Sequence, residues 1–290
     1  LATAAVMTGT DSAKIMQLPD SSGMKNEILT QATNPAGYLK CHEYAGAKLV
    51  FAGDETGTTK DEFSSAINDR TAAILFTFAY GPAVPGLSLP EVVEIARSSG
   101  VPVIVDGAAM LPPKTNLTKY IREGADLVTF SGGKYIGGPQ SAGLLAGRAD
   151  LIEAALLNSG PGMAVGRPQK VGREEMIGMV TALQLFVESD DESRQIAMRS
   201  KAEYICERLQ GLPGISATVE QDFEKFHVPN CVINFEKGEQ EIDRVWEALH
   251  EIEPRIYIAR NHGGLAANMA NVRDGEEKVI AQRLVAVLTN

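Results

Sequence analysis

Cysteine is scarce in this chain: Cys41, Cys206 and Cys231 are odd in number, far apart in sequence and form no C-x-x-C pair. That usage excludes a disulfide scaffold and suits a reducing cytosol. Histidine is equally sparse. His42, His227, His250 and His262 show no ligand spacing, and His42-Glu43 is not followed by the second histidine of a zinc helix, so no metal is expected. Positive charge is also short, with 27 Lys and Arg against 37 Asp and Glu, a net charge of −10, and the cations are scattered singly. An acidic surface repels phosphate backbones, so a nucleic-acid partner is not expected. No apolar run reaches the ~18–20 residues that a spanning helix needs, and no signal peptide is visible. A cytoplasmic, membrane-free protein is the expectation. Repeats and low-complexity segments are absent.

What is present is ordinary for a globular chain: 44% hydrophobic and 22% charged residues over 290 positions, enough for one large domain and a smaller one. The start is unusual. There is no initiator Met, and Leu1 to Met7 (LATAAVM) reads as a helix already under way that ends near Thr8-Gly9. An uncapped beginning of this kind is expected of a fragment lacking its N-terminal segment.

Short apolar strands are predicted at Lys48–Phe51, Ala72–Phe78, Val101–Val105 (ending on Asp106), Asp126–Phe130 (ending on Ser131) and Ala142–Ala146. Helices fall between them at Lys60–Ile67, Leu89–Ser98 and Leu117–Glu123, with Pro90 acceptable in a first turn and Gly100 as a stop. Continuously apolar strands alternating with helices indicate an α/β fold with a mostly parallel sheet. From Gly172 the pattern changes. Helices at about Arg173–Glu188 and Asp191–Gln210 meet at Ser189-Asp190-Asp191; strands follow at Ile215–Val219, Cys231–Phe235 and Arg255–Ala259, with helices at Glu241–His250 and Glu276–Leu288. The expected division is a large domain over residues 1–189, including the connecting helix, and a smaller C-terminal α+β domain over 190–290.

Two predicted strands end in chemically loaded residues: VPVIV-Asp106-Gly-Ala-Ala and DLVTF-Ser131-Gly-Gly-Lys134. Ligands of open α/β sheets bind at the carboxyl ends of strands, and one helix separates these two, so both ends can face one crevice. Pyridoxal 5′-phosphate (PLP) chemistry needs such a pair: a lysine amine for a Schiff base, and a carboxylate that keeps the pyridine nitrogen protonated. Glycines 132, 133, 137 and 138 would let backbone approach a cofactor, and the Ser131 hydroxyl could reach its phosphate. Each residue alone has a blander reading. An Asp at a strand end commonly forms a turn or cap, and a lone Lys after glycines is commonly a solvated loop charge; the combination is what singles them out. Gly132-Gly133-Lys134 is not a P-loop, because Tyr135 stands where Ser or Thr is required. No G-x-G-x-x-G follows a first strand, so a dinucleotide site lacks support.

VIVDGAAMLPP, FSGGKYIGGPQSAGLLAGR and VGREEMIGMVTAL resemble fold-type-I PLP enzymes of the selenocysteine-synthase-like group. The nearest resemblance is to its shorter bacterial members, the D-glucosaminate-6-phosphate ammonia-lyase type. It spans most of the chain, is strongest from about Val101 to Leu183, and includes LPDSSGMKNEI near the start. The resemblance implies Lys134 as Schiff-base lysine and Cα base, Asp106 at the pyridine nitrogen, Ala108 as a small residue against the ring, and Ser131 at the phosphate. Arg167 and Lys170, in GRPQKVGREE, become candidates for binding substrate anions, although Lys170 is more naturally a surface charge at a helix start. The implied activity is a lyase that releases ammonia from an amino acid or amino-sugar acid by α,β-elimination, in a homodimer or larger assembly. The alternatives are selenium transfer to seryl-tRNA, which the net charge opposes, and a non-catalytic truncated homologue, which the Asp106–Lys134 pair opposes. Two departures stand out: the glycine-containing phosphate loop of relatives would precede Leu1, and Gln31–Tyr44 does not follow the pattern that supplies ring stacking. Tyr38 and His42 are the candidates there, a buried structural role being the expected reading for each.

Overall fold

A computed structural model describes residues 1–33, 36–78, 86–223, 227–261 and 263–289. Part of the Gln31–Tyr44 segment and His262 therefore lie outside the described residues. The chain divides into two compact units, the first of residues 1–109 and 115–183, the second of residues 110–114 and 184–290.

The first unit opens with α1 (Ala2–Thr8), closed by Gly9 at φ 53°, and α2 (Ser12–Gln17), whose N-cap Asp11 accepts from the Ala13 and Lys14 amides. Then follow β1 (Glu27–Gln31), a 3₁₀ turn at Ala36–Leu39, α3 (Lys40–Tyr44), β2 (Lys48–Ala52), α4 (Lys60–Ser65), β3 (Thr71–Thr77), α5 (Leu89–Ser99), β4 (Val103–Asp106), α6 (Asn116–Arg122), β5 (Leu127–Ser131), β6 (Gly143–Gly147) and α7 (Ala149–Leu157). A 3₁₀ turn at Arg167–Gln169 leads into α8 (Arg173–Glu188). The strands form one sheet in the order β2-β1-β3-β4-β5-β6, parallel from β1 to β5 with β6 antiparallel at the edge. β1 and β3 are buried along nearly their whole length, the pattern of parallel strands covered on both faces. Ala4 and Met7 of α1 join Ile28, Ala73, Leu75, Ile104 and Leu127 in the main core.

Local chemistry fixes the boundaries. Ser88 caps α5 in a reciprocal box: the Ser88 amide and hydroxyl donate to the Glu91 carboxylate at 2.9 and 2.8 Å, which holds that carboxyl down at about 2. Gly100 ends the helix in the left-handed region at φ 64°.

The second unit contains α9 (Asp191–Leu209), β7 (Ile215–Glu220), β8 (Asn230–Phe235), α10 (Glu239–Glu251), β9 (Ala259–Asn261), β10 (Gly264–Asn268) and α11 (Glu276–Leu288), with an antiparallel sheet ordered β7-β8-β10-β9. The strand expected at Arg255–Ala259 is displaced: the ladder begins only at Ala259 and pairs with β10. Arg255–Ile258 is an apolar-polar mixture that leads out of α10 without ladder partners. The acidic joint behaves as the sequence suggests. Asp190 caps α9, while Lys114 donates its amide to Asp191 and its ammonium to the carbonyls of Val187 and Ser189. No helix among the described residues is long and apolar enough to cross a membrane.

Candidate active site

The three central strands β3, β4 and β5 end together. Thr77 pairs in register with Asp106, and Asp106 with Thr129, so the carboxyl ends of neighbouring strands carry Thr77 and Asp106 side by side. The ladder continues past the strands: the Gly107 amide donates to Thr129 O at 3.0 Å, and the Ser131 amide to Ala108 O at 3.3 Å. Asp106, half-buried, turns back to accept the Ala108 amide on Oδ1 at 2.9 Å. It is thus both the turn former of its bland reading and a carboxylate aimed from the sheet edge.

Lys134 stands on the loop from β5 to β6, and a set of bonds fixes that loop. The Gly132 amide donates to Ala142 O at 3.0 Å, the Gly138 amide to Gly132 O at 2.8 Å, and the Gln140 side-chain amide to Gly133 O at 2.9 Å. Gly137, at φ 76°, closes a turn onto the Lys134 carbonyl. The glycines before the lysine serve this packing. A Cβ on Gly132 would lie 2.5 Å from the Met179 sulfur and 2.6 Å from Ala142 O, and one on Gly133 would lie 2.5 Å from the Gln140 side chain. Gly132 and Gly133 are thus required by the packing of α8 and of the Gln140–Ala142 stretch that leads into β6.

Asp106, Ala108 and Lys134 line one cavity together with Tyr38, Leu39, Thr77 and Phe78. Lys134 is exposed. The Thr77 hydroxyl is buried and has no hydrogen-bond partner among the described residues, an unsatisfied donor at the cavity wall. Phe78 packs its ring on Tyr120 at 5.1 Å and Phe76 at 5.2 Å, backing the site with aromatic surface. The buried role expected for Tyr38 is overturned: its side chain is 77% exposed at the cavity rim, because it projects from a 3₁₀ turn outside the sheet layers. His42 does have a structural partner, with Nδ1 and the Thr3 hydroxyl 2.6 Å apart. Burial pushes the His42 imidazole below its ordinary range, while the nearby Asp106 carboxylate acts in the opposite sense. Ser131 ends β5 half-buried and does not line the cavity. Arg167 and Lys170 are exposed and lie away from it; the Arg167 guanidinium donates to Pro161 O, and Lys170 lines a separate apolar groove with Met176, Met179 and Val180.

Thr77, Phe78 and Leu39 were not foreseen as site residues. The usable signal was position, since Thr77 closes a strand adjacent to the one that ends on Asp106.

Comparison with known proteins places this geometry in context. The family model for L-seryl-tRNA selenium transferase matches residues 40–212. A 5′-C-glycyluridine monooxygenase-decarboxylase from Streptomyces is 33% identical over 229 residues, covering 77% of this chain and 55% of that protein. D-glucosaminate-6-phosphate ammonia lyase from Salmonella typhimurium is 30% identical over 227 residues, covering 77% of this chain and 58% of that protein. The chain thus spans little more than half the length of these curated relatives. Among solved structures, a D-glucosaminate-6-phosphate ammonia-lyase superposes with a TM-score of 0.79 at 27% identity, over 99% of this chain and 78% of that one.

Proposed function

Because this chain belongs to the L-seryl-tRNA selenium transferase family and has the fold-type-I architecture of PLP enzymes, we propose that it is part of a PLP-dependent lyase that releases ammonia from an amino acid or amino-sugar acid. One observation carries the reading: Asp106 and Lys134, far apart in sequence, line the same cavity at the carboxyl edge of the sheet. The residues fit the cofactor. A strand-end carboxylate, an exposed amine and the unpartnered Thr77 hydroxyl on one wall suit a ring with polar substituents. When bound, PLP supplies an electron sink for the pair left when a substrate Cα–H bond breaks.

The chain's own residues do the rest. Lys134 Nζ would hold the cofactor covalently, and its amine is the base that would take the substrate Cα proton. The Asp106 carboxylate would keep the ring nitrogen protonated, and its turn bond from the Ala108 amide fixes its orientation. Ala108 would offer a small face to the ring, whereas Ser131, which does not line the cavity, would meet the phosphate only if the cofactor reaches past the end of β5. Arg167 and Lys170 would meet substrate anions only if the substrate extends beyond the lysine cavity. A homo-oligomer completes the proposal, supported by the exposed apolar side chains Met163, Met176, Ile177 and Val180 of the first unit.

Selenium transfer to seryl-tRNA is the second reading, favoured by the family's own description. The net charge of −10 counts against it. Titration of the purified chain with PLP separates the outcomes. Wild type should acquire a protein-bound visible absorption band, and borohydride should fix the cofactor's mass on the peptide containing Lys134. If Lys134→Ala gives the same spectrum, the assignment falls. Ammonia release from phosphorylated amino-sugar acids, with no salt-sensitive binding of seryl-tRNA, separates the lyase from the transferase.

A further inference from the structure

Two of the three cysteines, distant in sequence, meet inside the second unit. Cys206 lies on the buried stripe of α9 formed by Met198, Ala202, Ile205, Cys206 and Leu209, the spacing with which one helix face covers a sheet. Cys231 lies in β8, between Val219 of β7 and Ala267 of β10. α9 packs on β7 and β8, and the two sulfurs stand 2.9 Å apart. Both thiols are free and buried, whereas Cys41 is exposed. The contact also makes the thiols unequal. The Cys231 S–H favours a thiolate on Cys206 and pulls that thiol below its ordinary range, while Cys231 is pushed up. A thiolate is the form that reacts with oxidants.

We propose that Cys206 and Cys231 form a site of reversible oxidative modification, closing to a disulfide that fastens α9 to the inner strand β8. The oxidant is a small peroxide, a class compact enough to reach a buried pair. Hydrogen peroxide transfers one oxygen to Cys206: an S–O bond forms, the O–O bond breaks and one water leaves. The Cys231 sulfur then attacks that sulfur, an S–S bond forms, the S–O bond breaks and a second water leaves. Two thiols lose two hydrogens and two electrons to one peroxide, and a dithiol reductant reverses the change. In a reducing compartment such a bond is a sensor rather than a scaffold.

The test uses the full chain without added cofactor, so it stands apart from the proposed activity. Reduced protein is treated with hydrogen peroxide, quenched, unfolded, alkylated and mapped by mass spectrometry. The peptides carrying Cys206 and Cys231 should be recovered cross-linked, two hydrogens lighter and unalkylated, with both thiols restored by dithiothreitol. The oxidised chain should melt above the reduced one, a shift reversed by dithiothreitol. In Cys231→Ser, shown to be folded by circular dichroism before treatment, peroxide followed by unfolding in the presence of dimedone should instead label Cys206. Full alkylation of Cys206 and Cys231 under conditions that oxidise exposed Cys41, or a cross-link that joins Cys41, would overturn the proposal.

Discussion

Thr77 and Asp106 face each other across β3 and β4, yet of the two only Asp106 has a hydrogen-bond partner among the described residues. An unsatisfied buried hydroxyl costs about 1–3 kcal/mol. Thr77→Val should therefore leave the cofactor-free chain as stable or more stable, while weakening PLP binding. Thermal melting and PLP titration measured together check this, and a loss of stability without loss of affinity would show that Thr77 serves the fold alone. His42 gives a pH dependence. The unfolded histidine titrates near its ordinary value of about 6.5, whereas burial sets the folded value lower. Below about pH 6.5 the unfolded chain binds the extra proton first, so stability falls as the solution is acidified through that range and is retained above it. Denaturant melts from pH 7.5 to 5 should show this slope, and His42→Gln should flatten it. At this scale the sequence made Asp106 and Lys134 readable because each ends a motif rich in glycine and apolar residues. Thr77 was unreadable because a threonine closing a strand is common and only its missing partner marks it.

The loop between β5 and β6 is where glycine matters most. Gly132→Ala would drive a methyl group into the Met179 sulfur and the Ala142 carbonyl. The expected cost is at least the ~1–3 kcal/mol typical of overpacking, with the Lys134 loop displaced. Circular dichroism melts and borohydride trapping of PLP should fall together; trapping at wild-type yield would contradict the packing account. Elements with a long apolar signature were legible. β3, β4, β5 and both helices flanking Ser189 lie within a few residues of where periodicity put them. β1 was missed because EILTQ begins and ends in polar residues, and its interior character rests on long-range partners. Glu27 is buried only because Arg70 pairs with it at 2.6 Å and Asn68 donates at 2.8 Å. β10 was missed for a similar reason: Gly264 is forced by backbone proximity, with a Cβ 2.0 Å from Ile233 O, and glycine reads as a loop.

At the scale of the molecule, α8 presents Met176, Ile177 and Val180 as exposed apolar side chains. If a second copy covers them, Ile177→Lys should shift the sedimenting species to a smaller mass while lowering the unfolding free energy of the separated chain by no more than about 0.5 kcal/mol. An unchanged assembly would remove this face from the interface. The mostly parallel sheet was legible from the alternation of strand and helix. The membership of residues 110–114 in the second unit was not, because Met-Leu-Pro-Pro-Lys carries no periodicity and its allegiance is set by distant bonds. The His227 amide donates to Pro112 O at 3.1 Å, and Lys114 bonds to Asp191, Val187 and Ser189. The chain consequently changes units three times, and the first crossing comes four residues after Asp106. In the language of recombination, the C-terminal unit is not a cassette. A chimaera that exchanges residues 184–290 inherits the host's five-residue splint, and its success depends on whether the donor's counterparts of Asp191 and His227 accept a foreign pentapeptide.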